Sequence, residues 1–212
     1  MMMVKDREEL RGLVKNLLVG RVNQLLNVER WHPFYKVFSE RVWGHQSQLS
    51  FIVWWLLYLS DAAQYLSEKD WWFLFTSLVL HDTDEIYGDV PANFKQNLSS
   101  ELAQKGNEVF FKETGLPPFS LSPLTPKQKV LGLVIEIADA LCTASFILKE
   151  LTAGNRFFLR MAGEMTSGEV KGLLNLLKKV KEAEWPEEMS SLRSLLEDVI
   201  TITYSLLLDF FS

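Results

Sequence analysis

The adjacent residues His81 and Asp82 have the types and the placement best suited to chemistry in this chain. They follow a largely apolar run, residues 71–80. Burying an imidazole and a carboxylate at the end of such a run costs free energy unless something binds there. A neutral imidazole nitrogen and a carboxylate oxygen are ligands of divalent metal ions. The pair therefore predicts a metal site.

Two further positions, His45 and Asp139, raise the weight of this prediction, because each lies in its own apolar helical stretch. A lone inward-facing histidine is usually satisfied by one hydrogen bond, and a His-Asp pair can simply cap a turn. Aspartate, however, is almost never buried unless it is paired or bound to a metal. One shared ion explains polar positions on three apolar helices better than three coincidences. We therefore predict four metal ligands: His45, His81, Asp82 and Asp139.

A second layer of acid surrounds the predicted ligands. Glu85 follows His81 by four residues and Asp82 by three, which would place all three near one helix face. Asp89 follows Gly88, where we expect the helix to break. A carboxylate beyond those that hold the metal suits a hydrolase, which must move a proton. On spacing alone, solvated acids at a helix end are an equally good interpretation.

The composition limits the classes of function. The chain has 212 residues, 48% hydrophobic and 23% charged, which predicts a single domain over residues 1–212. A net charge of −5 argues against binding a nucleic-acid polymer but allows a small anionic substrate at a metal. The single cysteine, Cys142, excludes an internal disulfide framework and suits a reducing compartment. Without a signal-peptide pattern or an apolar run of about 20 residues, we expect a cytoplasmic protein that spans no membrane.

Helical periodicity dominates the chain and strand signals are nearly absent, so we predict an all-α fold. Gly154-Asn155 should end the long helix that starts near Lys127, and Trp185-Pro186 should separate the last two helices. The predicted helices cover about residues 10–26, 45–66, 69–86, 127–151, 167–183 and 187–211.

Several motifs resemble one family. The segment HDTDEIYGDVP at residues 81–91, followed by Lys95, resembles the HD-x-x-E-x-x-x-GD-x-P segment of the HD-domain 5′-deoxynucleotidases. The segments IADALC at 137–142 and KELTAGN at 149–155 are similar to a second motif of that family. Arg30-Trp31 is similar to its Arg-Trp pair. In order, these matches cover roughly residues 25–160, which leaves the first 20 and last 50 residues without a motif.

The chain departs from the family pattern at three places. Gly44-His45-Gln46 stands where the family usually has Glu-His-Ser, and His32 separates Trp31 from Pro33. Tyr87 stands where a small hydroxyl residue is common. These departures concern the phosphate and base pockets rather than the metal ligands. We interpret His32 as a rim or surface residue rather than a ligand.

The resemblance implies a helical bundle of the HD-domain type that releases phosphate from 2′-deoxynucleoside 5′-monophosphates. It implies a divalent metal (Mn, Co, Mg or Zn) on His45, His81, Asp82 and Asp139, and a homodimer. Glu85 would handle the proton, with Asp89 assisting. Arg30 would grip the phosphate, Trp31 would pack on the sugar, and Lys95 would contribute to substrate binding.

Three alternatives remain open. A deoxynucleoside triphosphate triphosphohydrolase of the same superfamily would use the same site, and a non-catalytic nucleotide or metal sensor would keep the ligands. A purely structural helical protein explains the buried ionisable residues least well.

Trp54-Trp55 and Trp71-Trp72 are tandem aromatic residues within apolar helices, so we expect them in the core or in a dimer interface. The apolar run 200–211 could contribute to a dimer.

Overall fold

The computed structural model describes residues 42–82, 108–115, 123–155 and 170–209. Within these ranges it contains helices and turns but no strand, so the fold is all-α, as predicted. The predicted helix over residues 10–26 lies outside the described residues. The helices are α1 (Val42–Leu59), α2 (Glu68–Val79), α3 (108–114), α4 (Pro126–Thr152), α5 (170–182) and α6 (Ser190–Asp209), with short 3-10 helices at Ala62–Tyr65 and Glu187–Met189.

The chain divides into two compact units. Of the described residues, 42–46, 80–82 and 108–115 belong to the first unit. The second contains 47–79, 123–155 and 170–209. The boundary between residues 46 and 47 falls within α1. One domain over residues 1–212 stays a prediction.

Helix α1 buries one face, which includes His45, Leu49 and Leu56 as their common phase predicts. The predicted range of 45–66 is nevertheless wrong at its end, because α1 stops at Leu59. The hydroxyl of Ser60 donates a hydrogen bond of 2.7 Å to the carbonyl of Leu56. Asp61 then adopts a left-handed conformation with φ 57°. A left-handed residue cannot continue a right-handed helix, so the chain turns here.

Helix α2 begins with a reciprocal cap and ends earlier than predicted. The backbone N–H of Ser67 donates to Oδ2 of Asp70 at 3.0 Å, and the N–H of Asp70 donates to Oγ of Ser67 at 3.3 Å. The predicted continuation to residue 86 is wrong, because the helix ends at Val79. His81 and Asp82 therefore lie in a turn, and Glu85 lies outside the described residues.

Helix α4 agrees with its prediction to within one residue at each end. Thr125 and Gln128 form a capping box, and Pro126 occupies the first turn, where its missing N–H costs nothing. At the other end Gly154 has φ 75°, and the N–H of Asn155 donates to the carbonyl of Glu150 at 3.1 Å. This Schellman arrangement confirms the predicted C-cap.

The core of the second unit forms where α4 packs against α2 and α6. Helix α4 is long and apolar enough to cross a membrane by length and composition, but 61% of its apolar window is buried. A core helix of a soluble protein passes the same test, so this is weak evidence for a span. The face of α4 that packs in the core carries fully buried residues: Leu131, Val134, Ile137, Ala138 and Ile147.

Charged contacts fix the start of α4. The Nζ of Lys127 donates to the backbone carbonyl of Tyr65 at 2.8 Å and pairs with Oε1 of Glu188 at 3.1 Å. The exposed Glu188 carboxyl accepts hydrogen bonds from its own backbone N–H and from Lys127. These bonds hold the pKa of Glu188 below its ordinary value. Lys127 thus connects α4 to the 3-10 helices Ala62–Tyr65 and Glu187–Met189.

The predicted break at Trp185-Pro186 is confirmed, since residues 183–186 are not helical. The indole Nε1 of Trp185 donates to the carbonyl of Val180 at 2.7 Å, which satisfies a carbonyl of the last turn of α5. The predicted helix 187–211 begins instead with a 3-10 turn, and α6 runs from Ser190 to Asp209. The start expected near residue 167 lies outside the described residues.

Candidate metal centre

Three of the predicted ligands lie in the first unit, at the start of α1 and in the turn after α2. His45 lies near the start of α1, on its buried face, and only 1% of the residue is exposed. His81 and Asp82 lie in the turn after α2. The side chain of Asp82 is 10% exposed and that of His81 is 21% exposed. Solvent can therefore reach this group mainly from the side of His81.

One carboxylate oxygen lies close to both imidazoles. Oδ2 of Asp82 is 3.0 Å from Nδ1 of His81 and 3.5 Å from Nε2 of His45. The two imidazole rings are tilted by 53°, and their centroids are 5.6 Å apart. One potential ligand atom from each residue lies within 4.8 Å of the others. The three side chains thus converge on one small volume.

The donor set and its spacing fit a divalent metal ion. Metal–nitrogen and metal–oxygen bonds are about 2.0–2.2 Å long, so ligand atoms at angles of about 90–110° lie about 3.0–3.4 Å apart. The two distances from Asp82 Oδ2 are close to this spacing. The geometry is thus compatible with a metal ion held by these three side chains.

Gln46 is a residue of this site that the sequence did not indicate. Its Nε2 donates a hydrogen bond to the backbone carbonyl of His81. Gln46 is buried beside His45, in the position where the chain departs from the family pattern. This departure from the family pattern was the sequence feature that could have indicated a role for Gln46 in the site. The hydrogen bond ties the first turns of α1 to the turn that carries His81 and Asp82.

Asp82 has a left-handed backbone, with φ 60°. Aspartate and asparagine adopt this conformation more readily than other side chains apart from glycine. Such positions cost of order 1–3 kcal/mol and are concentrated at functional sites. At Asp82 the conformation belongs to the turn that brings the carboxylate to both imidazoles.

The fourth predicted ligand, Asp139, lies in the other unit. It is half-buried in the middle of α4, within the apolar stretch that the sequence indicated. Its role as a ligand stays a prediction. The predicted catalytic and substrate-binding residues lie outside the described residues: Glu85, Asp89, Arg30, Trp31 and Lys95.

The KELTAGN segment has a local role in α4. Glu150 is fully buried, and its Oε2 accepts a hydrogen bond of 2.6 Å from Nδ2 of Asn155. Gly154 supplies the left-handed residue between them. The Glu150–Asn155 hydrogen bond therefore adds a side-chain contact to the backbone cap at the end of α4. In the second unit, the segment stabilises the end of this helix.

The tandem tryptophans are not core residues. All four tryptophans of the two pairs (Trp54-Trp55 and Trp71-Trp72) are exposed. The prediction that they pack in the core is therefore wrong, whereas their place in a dimer interface stays open. The hydrophobicity of these residues indicates apolar contacts, but it does not indicate whether the contacts lie within the chain or with another molecule.

No protein-family model matches this chain, and no curated protein matches it. The interpretation of the site therefore rests on its residues and their geometry.

Proposed function

We propose that this protein is a metal-dependent phosphohydrolase that releases phosphate from 2′-deoxynucleoside 5′-monophosphates. One observation carries the proposal. His45, His81 and Asp82 were selected as ligands from the sequence, and their side chains converge around one carboxylate oxygen. Together with the segment from Glu85 to Asp89, this grouping supports hydrolysis rather than a merely structural role.

The division of labour follows from the chemistry of each side chain. A bound divalent metal would supply Lewis acidity toward the phosphate and a lowered pKa of bound water. Glu85 exchanges a proton with water or the leaving group, and Asp89 assists it. The guanidinium of Arg30 holds two phosphate oxygens through its planar fork, with Lys95 as a further cation. Trp31 covers the sugar at C2′, which leaves no room for a hydroxyl.

The ligand types narrow the choice of metal. Two imidazoles with a carboxylate suit Zn, Mn or Co, whereas Mg prefers oxygen ligands and retains its waters. Substrates are small nucleotides, because the net charge of −5 disfavours a nucleic-acid polymer. The single, buried Cys142 is compatible with the cytoplasm as the site of action.

A phosphate-release panel tests the proposal. The full chain is assayed with deoxy- and ribonucleoside mono- and triphosphates, with Mn, Co, Mg and Zn in turn. Release of inorganic phosphate from a deoxynucleoside monophosphate is the expected result. Tripolyphosphate from a deoxynucleoside triphosphate would establish the triphosphohydrolase instead. Nucleotide binding without turnover under every metal would establish the sensor.

A matched pair of variants connects the activity to the site. Asp82→Asn keeps the size of the side chain and its tolerance of a left-handed backbone, but removes the charge. Asp61→Asn makes the same change at the exposed left-handed Asp61. We expect the first variant to lose metal and activity and the second to keep both. Equal activity in the two variants would refute a metal site at Asp82.

A further inference from the structure

A groove of about 590 Å³ lies between the second half of α4 and the end of α6. Its lining residues on α4 recur every three or four positions, so they share one face of that helix. One of them, Leu148, follows Asp139 by two and a half turns of helix. The groove therefore lies on the opposite side of α4 from Asp139, and none of the described site residues lines it.

Small side chains leave this space open. Ala144 and Ser145 line the groove at positions where packed helices normally interdigitate larger side chains. The two helices are nevertheless packed against each other, and Ile147 of α4 and Leu207 of α6 are almost completely buried. The volume is within the range of about 300–1,000 Å³ that is typical of small-molecule sites. The groove is thus a concave site between two fixed helices.

The wall of the groove is mainly apolar. Leu141, Leu148 and Leu206 supply its large side chains. The hydroxyls of Thr152 and Thr203 also line it, but they donate to backbone carbonyls of their own helices at 2.7 Å and 2.8 Å. These two hydroxyl protons are therefore not available to a ligand. An occupant finds apolar contact along most of the groove.

Lys149 gives the groove its charge. It is exposed, and it is the only charged side chain among the described lining residues. The negative end of the α4 dipole lies nearby and is equivalent to about half a unit charge. The carbonyls of Lys149 and Glu150 in this last turn already accept hydrogen bonds from the N–H groups of Ala153 and Asn155. The full charge of Lys149 therefore outweighs the dipole, and its ammonium favours an anionic group.

The position of this charge indicates the shape of the ligand. From Leu141 to Thr152 the helix rises about 16 Å, and Lys149 lies in its last turn. An anionic head group at Lys149 leaves the rest of the groove to an apolar chain beside Leu141 and Leu148. We propose that the groove binds a medium-chain fatty acid, with its carboxylate at Lys149 and its chain between α4 and α6. This site does not depend on the proposed phosphohydrolase activity.

Calorimetric titration of the full chain with decanoate, below its micelle concentration, tests the role of Lys149. Lys149→Met removes the charge and should weaken decanoate binding by about 5-fold, the upper range for an exposed ion pair. Lys149→Arg keeps the charge and should retain the binding. The matched control, Lys171→Met, removes an exposed lysine of α5 outside the groove and should leave the dissociation constant unchanged. Decan-1-ol, which has the chain without the charge, should bind wild type and Lys149→Met equally.

Chain length and a second pair of variants test the apolar wall. Each methylene removed from the fatty acid should weaken binding by about two- to fourfold, the range for a partly to a fully buried CH₂ group. Leu206→Glu places a carboxylate in the groove and should abolish decanoate binding. Ile202→Glu makes the same change one turn earlier on α6, at an exposed residue outside the groove, and should bind decanoate normally.

Circular dichroism and thermal unfolding show whether each variant is folded. The proposal is overturned if decanoate does not bind the wild-type chain, or if Lys149→Met weakens decanoate and decan-1-ol alike. It is also overturned if Leu206→Glu binds as well as its control. A wild-type dimer that only Leu206→Glu converts to a monomer would assign the groove to a second copy of the chain instead.

Discussion

His45 Nε2 lies 3.5 Å from Asp82 Oδ2, although one residue belongs to α1 and the other to the turn after α2. A metal bound by both would hold these elements together in the folded protein and would find no such site in the unfolded chain. Metal binding should therefore stabilise the fold through mass action.

Added metal should raise the free energy of unfolding of the wild-type chain. At a free metal concentration of about 100 times Kd, wild type should gain about 2.7 kcal/mol of stability. His45→Ala and Asp82→Asn should gain almost nothing, and Asp139→Ala should behave in the same way if it is the fourth ligand. Thermal unfolding with Zn or Mn, against a chelator, measures the gain. Normal metal binding and turnover in Asp139→Ala would reduce the site to three protein ligands.

Glu85→Ala should separate metal binding from turnover. Without a group to exchange the proton, the rate should fall about 100-fold or more, the usual effect of losing a general acid or base. Metal content and the unfolding temperature should stay at wild-type values, because Glu85 is not among the predicted ligands. Phosphate release and metal analysis on the same preparation provide the measurement. A near-normal rate would remove Glu85 from the mechanism.

Sugar selection should depend on Trp31. A ribonucleotide packed against the indole would bury an unpaired 2′-hydroxyl at a cost of about 1–3 kcal/mol, roughly a 5- to 150-fold preference for the deoxy substrate. Trp31→Ala should narrow the deoxy-to-ribo ratio of kcat/KM and lower the deoxy rate. Arg30→Ala should weaken both substrates about equally, since both carry the phosphate. An unchanged ratio in Trp31→Ala, or a wild type that shows no deoxy preference, would contradict this role.

Gln46 should act on the metal through the turn that it holds. Gln46→Leu replaces the amide with an apolar side chain of similar size and so removes the hydrogen bond to the His81 carbonyl. Loss of a group that orients a ligand typically lowers metal affinity by 10- to 100-fold. The matched control is Gln48→Leu, two residues along the same helix. Metal titration of the two variants should show weaker binding in the first alone, and equal affinities would leave Gln46 with no positioning role.

Strong local signals made α4 predictable from the sequence. Thr125, Pro126 and Gln128 specify its start, and Gly154 specifies its end, so its bounds did not depend on distant contacts. The ends of α1 and α2 were set by different factors. A left-handed Asp61 and the turn at His81 stopped helices whose hydrophobic periodicity would have continued.

The grouping of His45 with His81 and Asp82 was predictable because each residue was polar in an apolar setting. The contact from Gln46 was not, because it reaches a backbone carbonyl, which every residue possesses. The exposure of Trp54 could not be predicted from the sequence either. A run of aromatic residues indicates apolar contacts, but it does not indicate whether those contacts lie within the chain or with a partner.

The left-handed backbone of Asp82 also limits how this sequence can change over evolutionary time. A lineage that no longer needed the carboxylate would still inherit the turn. Substitutions at position 82 should then be drawn mainly from asparagine and glycine, which accept positive φ at little cost. Valine or isoleucine should appear there only after the turn itself has been rebuilt.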